Sequence, residues 1–66
     1  MIYIALIKTD DNKPLMLVIR DDVEEMKDYL LSIPVMHVLE SFTTWDSERQ
    51  FMKHYSLGEL VKFLKD

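Results

Sequence analysis

Two amphipathic helical segments lie 34 positions apart in this chain (Asp22 to Ser56), and both begin with the same capping pattern. Asp22 and Ser56 are residue types that cap helix N-termini, and each is followed three positions later by a glutamate, which completes a capping box. Apolar residues then recur at spacings of three and four, which predicts a buried stripe on each helix: Val23, Met26, Leu30 and Ile33 in the first, and Leu57, Leu60, Val61 and Leu64 in the second. Such a chain has to bury two helix faces against another layer of structure.

Short apolar and β-branched segments precede each helix and are typical of strands. Residues Ile2–Thr9 and Leu15–Arg20 flank the turn-forming sequence DDNKP, so they predict a β-hairpin with a loop of about five residues. Pro34 is predicted to end the first helix, because the residue before a proline disfavours helical geometry. Val35–Trp45 is then predicted to be a third strand, with Met36, Val38 and Phe42 on one side.

The segment 47–55 is compatible with two structures. Its residues alternate as in a strand, whereas Ser47 and Gln50 could cap a helix. A repeat favours the strand, because the offset that superposes the two helices also pairs the apolar residues at the start of each half: Ile2 with Met36, and Ile4 with Val38.

We therefore predict a single α+β domain over residues 1–66, with two ββα pseudo-repeats that span residues 1–34 and 35–66. The predicted element order is ββαββα, in which a four-stranded, mostly antiparallel sheet carries two helices on one face. The first two strands are apolar on both sides, which indicates either a covered sheet or a second face that meets another chain.

The composition restricts the classes of function that remain. The 66 residues include no cysteine, so disulfides and thiolate metal sites are excluded. The net charge of −4 opposes binding to a phosphate backbone, and direct nucleic-acid binding is therefore not expected. No apolar run of about 18 residues could span a membrane, and no signal-peptide pattern is present, so we expect a soluble, cytoplasmic protein.

No catalytic, cofactor-binding or metal-binding signature is present in the sequence, and an enzyme is not predicted. His37 and His54 have no second histidine at metal-ligand spacing, and the single glycine, Gly58, cannot form a phosphate-binding loop. A calcium loop beginning at Asp10 or Asp11 would lack its required glycine and glutamate. Acidic residues at the start of the first helix could hold Mg²⁺, but the helix dipole already favours them there: Asp21, Asp22, Glu24 and Glu25.

The leading hypothesis is a small non-catalytic protein-binding module that forms a homodimer. Two helices can cover only one face of a four-stranded sheet, and contiguous apolar surface on the other face is typical of an interaction site. The residues assigned to this oligomer interface are Tyr3, Ala5, Ile7, Met16 and Val18. Small size, acidity and the lack of cysteine are also typical of inhibitory or accessory regulators of phages and mobile elements.

A second predicted surface is the outer face of the first helix. From Arg20 to Leu31 the chain has two positive and five negative residues, a sum of −3 out of the net −4. We predict that this face engages a basic site on a partner protein through Glu24, Glu25, Asp28 and Leu31. Two alternatives stay open: a metal-dependent hydrolase built on the acidic cluster, and a nucleic-acid-binding regulator that stacks bases on Tyr3, Phe42 and Trp45.

Overall fold

A computed structural model describes residues 1–8 and 15–66 of the chain. Its elements are β1 (Ile2–Ile7), β2 (Met16–Arg20), α1 (Val23–Leu31), α2 (Val35–Val38), β3 (Leu39–Trp45), β4 (Phe51–His54) and α3 (Leu57–Lys65). The predicted α+β fold and the order of its main elements, ββαββα, are confirmed, and the short helix α2 is added to them. The turn predicted at residues 10–14 lies outside the described residues.

The four strands form one antiparallel sheet in the order β2-β1-β3-β4. The central strand β1 places Ala5 opposite Val18 of β2 and opposite Phe42 of β3. This order is symmetric about the β1–β3 pair, which is the arrangement that two ββα units packed side by side would produce. The duplication itself stays an interpretation of the sequence.

Both long helices begin at the predicted capping residues. The Asp22 carboxylate accepts a hydrogen bond from the backbone N–H of Glu24 at 2.8 Å. At the start of α3, Ser56 and Glu59 form the complete capping box, in which each side chain accepts a bond from the other residue's backbone N–H. These bonds satisfy backbone donors that the first turn of a helix cannot satisfy by itself.

The hydrophobic core lies between the helices and one face of the sheet. Its buried members are Ala5, Ile7, Val18, Met26, Leu30, Val35, Phe42 and Leu60. The Phe42 ring is at the centre of an aromatic group, with ring centroids at 4.8 Å from Tyr55, 5.1 Å from Phe63 and 6.2 Å from Tyr3. Strand β3 therefore carries the side chain on which both the strands and the C-terminal helix pack.

The third strand is shorter than predicted, because residues 35–38 form a helical turn. Pro34 stands at the N-cap of this turn, and its carbonyl accepts hydrogen bonds from the backbone N–H groups of His37 and Val38 at 2.9 and 3.2 Å. The turn buries Val35 in the core, and that burial outweighs the β-propensity of the segment. The pairing of Ile2 with Met36 and of Ile4 with Val38 is therefore wrong at the level of structure.

The second helical stripe is also narrower than the sequence pattern indicates. Leu60 is buried and Leu64 is partly buried against the core, but Leu57 is 66 % exposed. Leu57 is the first residue of α3 and lies at the N-terminal end of the helix. In α1, Met26 and Leu30 are buried as the spacing predicts, but Val23 is 36 % exposed. The helix ends at Leu31 instead of continuing to Pro34, and Ile33 packs partly buried against the core beyond its end.

Candidate interaction surface

The sheet face opposite the helices is apolar over most of its area. Ala5, Val18 and Phe42 are in the core, so the residues on either side of them along each strand point the other way. The pairing register groups these residues in three rows, which together we call the open face: Ile2, Trp45 and Phe51; Ile19, Ile4, Thr43 and His54; Leu17, Leu6 and Ser41.

The open face exposes large side chains to solvent in the described part of the chain. Leu17 is 56 % exposed, Ile19 51 % and Phe51 55 %. The three rows contain no aspartate, glutamate, lysine or arginine. The largest contiguous apolar surface of a protein is often an interaction site.

One end of the open face is concave. A trough of about 530 Å³ is lined by the apolar side chains of Ile2, Ile4, Ile19 and Trp45, and by Arg49. The indole N–H of Trp45 donates a hydrogen bond to the hydroxyl of Thr43 at 3.0 Å, so the polar edge of this ring is satisfied within the chain. The trough thus offers an apolar wall with a cationic residue among its lining residues.

Arg49 is held at the trough by a tight turn between β3 and β4. Its backbone N–H donates to the carbonyl of Asp46 at 3.0 Å, and the Asp46 carboxylate accepts bonds from the N–H groups of Glu48 and Gln50, both at 2.9 Å. Arg49 has a φ of 66°, in the left-handed region that glycine adopts most easily. The ambiguous segment 47–55 is therefore a turn followed by the strand β4.

The predicted oligomer-interface residues lie on the other side of the sheet. Ala5, Ile7 and Val18 are buried in the core, with exposures of 0, 4 and 6 %. Tyr3 packs beside Phe42 and Phe63. Burial raises the pKa of the Tyr3 hydroxyl, and the nearby Tyr55 contributes a smaller part of this increase. Met16 is exposed, but it pairs with Ile7 in the same register row. The prediction that these residues form the uncovered face is wrong, because the helices dock on that face.

The four residues of the predicted partner-binding surface lie together on the outside of α1. Glu24, Glu25, Asp28 and Leu31 are all exposed, and their spacings of three and four residues place them on neighbouring turns. Lys27 is directed elsewhere, since its ammonium group donates to the backbone carbonyl of Asp66 at the end of α3. We call these four residues the acidic surface; it faces away from the sheet, on the opposite side of the molecule from the open face.

The aromatic platform considered for nucleic acid does not form a single surface. Tyr3 and Phe42 lie in or against the core, whereas Trp45 lies on the open face, where its ring contacts Phe51 with centroids 5.4 Å apart. Three bases therefore cannot stack on these three rings together. His37 ends up exposed in α2, and His54 lies on the open face.

Within residues 1–8 and 15–66, no three His, Asp or Glu side chains converge in a way that could hold a metal ion. The helices in the same ranges are all too short to cross a lipid bilayer. Sequence reasoning missed the residues that form the trough, chiefly Ile4, Ile19 and Arg49. The sequence does contain a signal for the turn that carries Arg49. Aspartate favours the first position of a turn, and Asp46 lies three residues before Arg49.

Comparison of the chain with protein-family models, with curated proteins and with solved structures finds no match.

Proposed function

We propose that this chain is a small non-catalytic protein-binding module that forms a homodimer through the open face and presents the acidic surface to a partner protein. The observation that carries the proposal is the exposed, apolar open face opposite the helices. Exposed side chains such as Leu17 and Ile19 contribute free energy of association when a second surface removes them from water.

A second copy of the chain is the occupant that best suits this surface. Two twisted sheets pack face to face at a spacing of about 10 Å, with interdigitating apolar side chains. The open face is four strands wide, at about 4.8 Å per strand, and about six residues long, at about 3.4 Å per residue. Its area is therefore roughly 400 Å² per copy. A stable dimer of standard size buries roughly 800 Å² per partner. We therefore expect a dimer that dissociates in the micromolar range rather than a permanent one.

Face-to-face packing would leave the helices of both copies on the outside. The acidic surface of each copy would then face solvent on opposite sides of the dimer, available to a basic site on another protein. Exposed charges of this kind mainly accelerate association and select the partner, while Leu31 can supply apolar contact. An inhibitor or accessory regulator of the phage or mobile-element type that occupies a basic surface is consistent with this arrangement.

Sedimentation across the micromolar range tests the homodimer. We expect the unmodified chain to change from monomer to dimer as its concentration rises, and Ile19→Lys to stay monomeric because it would bury a charge in the interface. Leu57→Lys is the matched control, since Leu57 is even more exposed but lies on α3, away from the open face. A chain that stays monomeric at every concentration, or two variants that behave alike, would contradict the dimer.

Comparative capture from the native host tests the acidic surface. The bait chains are the unmodified protein, a variant with Glu24→Lys and Asp28→Lys, and a control with the same charge change at Glu40 and Glu48. We expect a protein that is retained by the unmodified chain and the control, lost on the helix variant, and eluted by salt. Equal retention on all three baits would remove the acidic surface from the proposal, whereas a retained nucleic acid would favour the alternative function.

A further inference from the structure

We propose that the trough on the open face is a binding site for a small hydrophobic carboxylate. The apolar part of the ligand would lie against Ile2, Ile4, Ile19 and Trp45, and its carboxylate would meet the guanidinium group of Arg49. A site for a small ligand is distinct from the proposed protein-binding function.

The size and lining of the trough are those of a ligand site. Small-molecule sites in proteins are concave, have volumes of roughly 300–1,000 Å³, and combine mostly apolar walls with a few polar or charged groups. The trough has a volume of about 530 Å³, three isoleucines and the single tryptophan of the chain among its walls, and one charged lining residue. Its chemistry is thus complementary to an apolar body that carries one negative charge.

The backbone of Arg49 supplies a second, independent observation. A left-handed conformation is unfavourable for a residue with a side chain, and such residues persist where the surrounding structure holds them in place. Here Asp46 accepts hydrogen bonds from the turn through its backbone carbonyl and its carboxylate, and these bonds hold the backbone at Arg49 in this conformation. An arginine at a position that favours glycine is explained if its guanidinium group has a ligand to bind.

Within residues 1–8 and 15–66, the Arg49 side chain has no carboxylate within salt-bridge distance, whereas Lys8 pairs with Glu40 and Lys53 with Glu59. A planar guanidinium binds a carboxylate through two parallel hydrogen bonds, which a lysine cannot do.

Ligand binding would compete with the proposed dimer. Ile4 and Ile19 form part of the trough and also part of the surface that a second copy would cover. A ligand that binds only the monomer shifts the equilibrium towards it by mass action. This consequence rests on the proposed function, but the binding site itself does not.

Decanoate is a suitable probe, and decanol is its uncharged counterpart. Trp45 is the only tryptophan, so its fluorescence reports on the trough directly; calorimetry gives a second readout that does not depend on the ring. At dilute, monomeric protein we expect decanoate to bind roughly tenfold more tightly than decanol, because a charge-assisted hydrogen bond contributes about that factor. Arg49→Gln should reduce decanoate affinity to the level of decanol. Arg20→Gln is the matched control, since Arg20 is the only other arginine, lies over the ring of Tyr29 and is not a lining residue of the trough.

Arg49→Gly makes the test independent of folding defects. We expect this variant to melt at a higher temperature than the unmodified chain and to lose the preference for decanoate over decanol. Equal binding of decanoate and decanol to the unmodified chain, an effect of Arg20→Gln as large as that of Arg49→Gln, or no binding below the micelle concentration would each overturn the site. Sedimentation without decanoate reports on the dimer alone, so the two proposals can fail separately.

Discussion

Ile4 lies directly opposite Ile19 across the β1–β2 ladder, and the two side chains project from the sheet on the side away from the helices. One residue later in β1 and one residue earlier in β2, Ala5 lies opposite Val18, and both are buried beneath the helices. Neighbouring residues of the same apolar character thus belong to two different environments. The core uses one set, and the other is left for association.

Two isoleucines on opposite faces should therefore differ in their contribution to stability. Ile7 is 4 % exposed and Ile19 is 51 % exposed. Ile7→Ala should lower the free energy of unfolding by about 2–5 kcal/mol, because it removes buried methyl groups and leaves a cavity. Ile19→Ala should cost less than about 1 kcal/mol at protein concentrations at which the chain is monomeric. Urea denaturation of both variants measures the difference; similar losses would mean that the faces are assigned incorrectly.

Leu30 and Leu31 offer the same comparison within α1. They are adjacent and identical, yet Leu30 is fully buried and Leu31 is 62 % exposed. Leu30→Ala should destabilise the fold by about 2–5 kcal/mol, which for so small a domain can abolish folding. Leu31→Ala should leave the melting temperature almost unchanged. Thermal unfolding followed by circular dichroism measures the melting temperatures of both variants. If Leu30→Ala left the melting temperature unchanged, the buried face of α1 would be assigned incorrectly.

Arg49→Gly should stabilise the chain although it removes a side chain. The φ of 66° costs arginine roughly 1 kcal/mol relative to glycine, and the turn bonds to Asp46 do not involve the Arg49 side chain. Part of this gain is offset, because glycine has more freedom in the unfolded chain. We expect a net increase of up to about 0.5 kcal/mol in the free energy of unfolding. Arg49→Gln keeps the backbone penalty and serves as the control, so equal stability of the two variants would argue against a strained turn.

Glu59 should make stability depend on pH in acid. The bond from Lys53, followed by the bonds from Ser56, lowers the pKa of the Glu59 carboxyl from its ordinary value of 4.5 to about 2. A lowered pKa in the folded state means that the ionised form is preferred there, so the stabilisation is complete above about pH 4.5 and is lost as the pH falls towards 2. Both side chains are exposed, and salt should therefore weaken the effect.

The corresponding measurement compares melting temperatures of the unmodified chain and Glu59→Gln at low salt. The unmodified chain should be the more stable of the two at neutral pH, and the difference should shrink between pH 4.5 and pH 2. Glu48→Gln controls for the loss of one negative charge elsewhere on the surface. If the difference in melting temperature between the unmodified chain and Glu59→Gln did not change with pH, the Lys53–Glu59 pair would not stabilise the fold through its charges.

The helices could be predicted from the sequence because their signals are local. Asp22, Ser56 and Glu59 cap their helices through bonds that span two or three residues, and the apolar spacing that buries Met26, Leu30 and Leu60 is a property of each segment alone. The alternating residues of β4 were ambiguous by themselves and required the comparison between the two halves of the chain. Segment type and order thus followed from short-range patterns.

Residues 35–38 form a segment whose structure the short-range patterns predicted incorrectly. Their β-branched composition favours a strand, but in the fold the segment after Pro34 turns once as a helix and buries Val35 against elements far away in the sequence. The gain from that contact is tertiary, so propensity within the segment could not reveal it.

The hydrophobic pattern of the strands also could not predict the face on which the helices dock. Strands β1 and β2 are apolar at odd and even positions alike, so shifting every side chain to the other face leaves the hydrophobic pattern nearly unchanged. Docking of α1 and α3 over Ala5, Val18 and Phe42 removed that degeneracy and left Ile4 and Ile19 on the outside. The same packing brought the β3–β4 turn beside the N-terminal strand, and a trough with Arg49 at its wall arose from residues that are more than 40 positions apart in the chain, from Ile4 to Arg49.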